Sequence, residues 1–144
     1  MMTLTPMPGV PRGGCDCSPQ VGTVPPQCWM QSASDRERLR HACAELRHYG
    51  IVAYPALGPQ DAARTRERIC ALMLADLPDW DGSYVFWTAV EDERCIGGDG
   101  AMVRPLQAQV GGPAIETFLR GALELVGLDA GPGPVPGTLM VTGR

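Results

Sequence analysis

The chain has 144 residues, the length of one domain, and a net charge of −4, which lacks the basic footprint of a nucleic-acid or anionic-lipid binder. All twelve basic residues are arginine and there is no lysine, so phosphate-loop and Schiff-base lysines are excluded. No window approaches the ~18 apolar residues of a membrane span, and "MMTLTPMPGVPRGGCDC" has no basic-then-apolar leader pattern. The reading is a cytoplasmic chain with reduced thiols and no cofactor.

Residues 1–33 are rich in Pro, Gly, Ser and Gln without a period, and read as a disordered tail ahead of a single α/β domain over 34–144. Met30 is a reasonable alternative start. "SDRE" at 34–37 spells a capping box, and Leu39, Ala42, Cys43 and Leu46 share one face, which predicts a helix over 35–48 ended by Gly50. "IVAYPALG" predicts a short strand. Pro59 at a first helical turn and the apolar spacing after it predict a helix over 59–77.

"LPDWDG" reads as a loop, and "SYVFWTAV" as a strand covered on both faces. "EDERCIGGDG" reads as a solvated reversal into a second strand within "GAMVRPLQAQV", antiparallel to the first, because it is too short for a parallel crossover. "GGP" opens a helix over 113–127. "DAGPGPVPG" reads as a stiff connector and "TLMVT" as a last strand.

The order α, then β-α-β-β-α-β, predicts an α+β fold with a ferredoxin-like sheet and an extra N-terminal helix. The alternative is a small three-layer α/β fold. Four segments, "RHYGIVA", "YVFW", "EDERCIGGDGAMV" and "IETFLRGALELVGL", resemble an actinobacterial family of unknown function over about residues 36–142. The absence of Lys and Asn, whose codons are AT-rich, agrees with a GC-rich genome. The resemblance implies a fold and a bacterial source, and no activity.

His41, Glu45 and His48 stand at i, i+4 and i+7 and contain the Glu-x-x-His spacing of carboxylate metal sites. Their face lies opposite the apolar stripe, so the bland reading is a solvated polar face. Cys15, Cys17 and Cys28 form C-x-C-x10-C, which lacks a fourth zinc ligand and reads as loose thiols. Cys43 and Cys70 read as small core residues, and Cys95 as the thiol best placed to react.

Gln109, Gly111 and Gly112 in "QVGGPA" resemble the pyrophosphate-binding turn of acyl-CoA acetyltransferases, although Pro113 removes one amide donor. The bland reading is a glycine turn before a proline-started helix. Asp76, Asp79, Asp81, Glu91, Asp92, Glu93 and Asp99, against Arg94, make the middle loops acidic. They serve chemistry only if the fold sets them beside one another or beside Trp80 or Trp87.

These features favour a non-catalytic interaction or regulatory module, acting on a protein partner or a second copy of itself, over an enzyme. An acyl-CoA binder and a metal- or redox-responsive module are the alternatives.

Overall fold

The computed structural model describes residues 19–58, 61–77 and 79–143. Helix α2 (Asp35–His48) forms where the capping box predicts: the Ser34 hydroxyl accepts from the Glu37 amide at 3.2 Å, and Glu37 accepts from the Ser34 amide at 2.8 Å. Gly50, at φ +82°, turns the chain into strand β1 (Val52–Leu57). Helix α3 (Ala62–Asp76) is capped by Asp61, and Pro59 lies outside the described residues. Strands β2 (Tyr84–Thr88), β3 (Leu106–Gly111) and β5 (Thr138–Thr142) and helix α5 (Ile115–Leu125) lie within the stretches the pattern predicts.

Three elements are additional. Helix α1 (Gln27–Ser32) precedes the capping box, helix α4 (Ala89–Cys95) follows β2, and strand β4 (Asp129–Pro132) forms within the expected connector. Proline is tolerated in β4 because the strand lies at the sheet edge, where a missing N–H removes no ladder bond.

The fold is α+β, with a mixed five-stranded sheet in the order β1-β2-β3-β5-β4. A ferredoxin-like arrangement would set another strand between the two flanking the α3 crossover. Instead β1 and β2 pair directly and in parallel, Val52 with Tyr84 and Ala53 with Val85. β3 joins β2 antiparallel, as expected, with Val85 opposite Val110.

The last strand joins β3 because the free edge of β1 is blocked. Arg47 Nη1 donates to the Ala53 carbonyl at 2.5 Å, Pro55 follows, and Ala56 bends the strand at φ +54°. Helices lie on both faces, as in the three-layer alternative, but its parallel sheet does not form: β1–β2 is the one parallel pair among the described strands.

Alternation along the strands separates two apolar layers. Ala53, Val85, Trp87, Leu106, Ala108, Leu139 and Val141 meet α2 and α5 in the main core. Val52, Tyr84 and Phe86 on the other face meet Ile69, Cys70 and Met73 of α3, together with Trp80. α3 thus covers only the β1–β2 side of that face.

Residues 19–33, read as tail from the sequence, belong to the folded unit, while 1–18 lie outside the described residues. Ala33 is buried, and Trp29 and Met30 pack against the main core. Low charge and frequent proline hide this packing from a compositional reading. Among the described residues no helix is long and apolar enough to cross a membrane.

Candidate functional site

The acidic stretch after β2 is a helix, not a solvated turn. Thr88 caps it, accepting from the Glu91 amide at 3.2 Å, and Thr-x-x-Glu is a capping spelling the sequence already carried. Asp92 is buried and accepts from Trp87 Nε1 at 3.0 Å and from Arg36 at 2.6 Å. Glu91 accepts from the Gln107 amide at 2.9 Å and from the Cys95 thiol at 3.3 Å. Cys95 is fully buried, and burial followed by the Glu91 bond pushes its thiol up to about 11, so it is not the reactive thiol that its neighbours in sequence suggested. Asp79 and Asp81 precede β2 while Glu91 and Asp92 follow it, so the two acidic loops lie at opposite ends of that strand.

His41 and Glu45 do not form a solvated face, because residues 19–33 cover them. The Gly22 amide donates to both Glu45 oxygens, at 3.2 and 3.0 Å, and Trp29 stacks on His41 with centroids 5.4 Å apart. His48 stays exposed. His41 Nε2 is buried, without a hydrogen bond, and 3.9 Å from Glu45. Among the described residues no group of three His, Cys, Asp or Glu side chains is placed to hold a metal. Cys28 is disulfide-bonded, which departs from the expectation of loose thiols, and Cys15 and Cys17 lie outside the described residues. Cys43 is buried in the core, and desolvation raises its thiol to about 12.

Burial lowers the His41 pKa from its ordinary 6.5, and Glu45 offsets this in part. The other groups packed on His41 from residues 19–33 carry no charge. With the folded value below the unfolded one, the unfolded chain binds more protons at this site. The stability His41 contributes is therefore present above pH 6.5 and lost as pH falls through the lowered value. Urea titrations at a series of pH values should show a steeper acid-side loss in the wild type than in His41→Gln. Parallel curves would assign the loss to other groups.

Gln109, Gly111 and Gly112 do not form one cradle. A Cβ at Gly111 would collide with the Tyr84 ring, and one at Gly112 with the Ser83 backbone, so packing inside the protein accounts for both glycines. Gly112 also sits at φ +99°. Gln109 lies back on β3, nearly buried, and accepts from Arg66 of α3 at 2.8 Å.

An apolar groove of about 440 Å³ lies between α2 and α5, lined by Leu46, Tyr49, Phe118, Gly121, Ala122 and Leu125. Tyr49 is 60% exposed, Phe118 45% and Leu125 40%, and the two rings stand 6.2 Å apart. Ile115, Leu119, Ala122 and Leu123 hold the core face of α5, and Phe118 turns outward.

The chain matches no family model, no curated protein and no solved structure.

Proposed function

We propose that this protein is a non-catalytic interaction module that pairs with a second copy of itself through the α2–α5 groove. The observation that carries this reading is the exposed Tyr49–Phe118–Leu125 surface along the groove between α2 and α5. Along α5 the outward stripe runs Phe118, Gly121, Leu125, which is large, small, large in both directions. A Cβ at Gly121 meets open space. Two copies of α5 crossing antiparallel near Gly121 would set Phe118 of each against Leu125 of the other, a self-complementary contact of the two-fold kind. The sheet edges favour this surface over strand pairing. One edge is blocked at Ala53 by Arg47, and the other is the short, proline-ended β4.

The same side chains that invited a catalytic reading support the interaction reading. Asp92, Glu91 and Glu45 are each engaged in bonds that hold elements together. The resemblance to the actinobacterial family fits this reading and adds no activity. The cytoplasmic placement expected from sequence is not carried into it, because Cys28 is bonded.

Sedimentation from about 1 µM to about 500 µM should show a reversible monomer–dimer equilibrium. Phe118→Glu should hold the chain monomeric while leaving its melting temperature within a few degrees, since the side chain is already half exposed. A wild type that stays monomeric throughout, or a Phe118→Glu variant that still dimerises, overturns the reading.

A further inference from the structure

Residues 19–33 lie across one stripe of α2, formed by Arg38, His41 and Glu45 at i, i+3 and i+7. The Gly22 amide donates to Glu45, the Trp29 ring stacks on His41, and the Ala33 carbonyl accepts from Arg38 Nε at 3.1 Å. All three α2 side chains are buried although each is polar. The covering segment has a slight hold of its own. It contains no charged side chain, and Trp29 and Met30 are only partly buried. Its backbone bonds Thr23–Gln20, Met30–Pro26 and Ala33–Trp29 stay inside it. Segments with few buried contacts open without global unfolding.

Glu45 is the deciding group. Its Oε2 accepts from Gly22 at 3.0 Å and lies 3.9 Å from His41 Nε2, which is buried without a hydrogen bond. Once protonated, the imidazole donates from both nitrogens. A charge-assisted N–H···O bond is about 2.7–2.9 Å long, so Glu45 must turn away from Gly22 to form one. If Glu45 stays, an imidazolium is left buried beneath uncharged residues, which only entering water relieves. The first course breaks the Gly22 bonds, and the second lifts the segment.

Other described charges around this stripe do not compensate. Arg38 is itself a cation, tied to the Ala33 and Val126 carbonyls. Glu37 is exposed and accepts from the Ser34 amide, and His48 is exposed. α5 turns Leu119, Ala122 and Leu123 to the core it shares with α2 and keeps Glu116, Arg120 and Glu124 exposed.

We infer that residues 19–33 are a pH-sensitive strap on α2, held while His41 is neutral and released when it takes up a proton. Glu45 also lines the groove between α2 and α5, so release uncovers one wall of that groove. Release does not depend on the pairing of two copies, so failure of one reading leaves the other standing. Because burial lowers the His41 value from 6.5, the strap is fully held above pH 6.5 and loosens as pH falls toward the lowered value. Within that window each pH unit favours release by about tenfold.

The test follows the isotope-labelled full chain by NMR from about pH 8 to about pH 4.5, with the Cys28 disulfide intact. The Gly22 amide and Trp29 indole signals should shift with the same midpoint as the His41 ring, below 6.5. Amide exchange over 19–33, corrected for its intrinsic pH dependence, should quicken about tenfold per pH unit in the window while β2 stays protected. His41→Gln, which cannot charge, should abolish the transition, and His48→Gln should leave it in place. Should His41→Gln not fold, the wild-type midpoints decide alone. Gly22 and Trp29 signals that stay fixed while His41 titrates overturn the inference. So does a transition that persists in folded His41→Gln or vanishes in His48→Gln, or exchange that rises equally in 19–33 and β2.

Discussion

Phe86→Ala is expected to lower the free energy of unfolding by ~3–5 kcal/mol, the range for truncating a buried aromatic residue. Phe86 is fully buried in the middle of β2, paired with Tyr54 on one side and Gln109 on the other. It is the centre of the smaller apolar layer, where α3 contributes only the partly buried Ile69, Cys70 and Met73. α3 has Thr65 as its sole buried residue among those described, so losing the Phe86 ring removes the surface on which the helix rests. The wild type and variant should be compared by urea denaturation, with hydrogen exchange read separately over α3. A cost below about 1 kcal/mol, or unchanged protection in α3, would show that this layer does not hold the helix. Phe118→Ala, on the open groove, is the internal control and should cost far less.

Arg38→Ala should rank next, at about 3 kcal/mol. Arg38 is 1% exposed, the largest fully buried side chain of the described chain. Its Nε donates to the Ala33 carbonyl at 3.1 Å, and Nη1 donates to the Val126 carbonyl. Ala33 closes α1 and Val126 caps the end of α5, so one guanidinium joins three helices. It also sets a positive charge at the negative end of α5. Alanine would leave both carbonyls buried without this donor. Arg38→Lys should recover less than half of the loss, because an ammonium on a single stem lacks the planar fork. Full recovery by lysine would mean that charge alone matters there and not the geometry.

The Arg38 arrangement shows why part of this protein was hidden from its sequence. Nothing local marks Arg38 as buried: it stands among Arg36, Glu37 and Arg40 in a highly charged turn of helix. Its partner Val126 is far along the chain, on another element. The Arg36–Asp92–Trp87 group is hidden for the same reason, since its members come from α2, α4 and β2. Helix α4 was hidden differently. Four charged residues in a row give no apolar period, and the signal that remained was the Thr88–Glu91 spacing.

What the amino-acid order determined alone is whatever depends on near neighbours. The Ser34–Glu37 box set the start of α2, and Gly50 set its end. The apolar run at 84–88 became a strand. Capping bonds and steric limits on φ act over a few residues, so they can be read from the chain directly.

Which strand lies beside which, and which polar face is covered, were decided only by the tertiary structure. β5 chose β3 because Arg47 and the bend at Ala56 close the edge of β1. His41 and Glu45 lost their solvent because a proline-rich segment with no charged side chains packs over them. Gln109 lies back on β3, bonded to Arg66 of α3, and not in the glycine turn at 111–112. Each of these outcomes is a competition between distant surfaces for the same partner. The winner depends on shape and burial in three dimensions, which no spacing within the chain records.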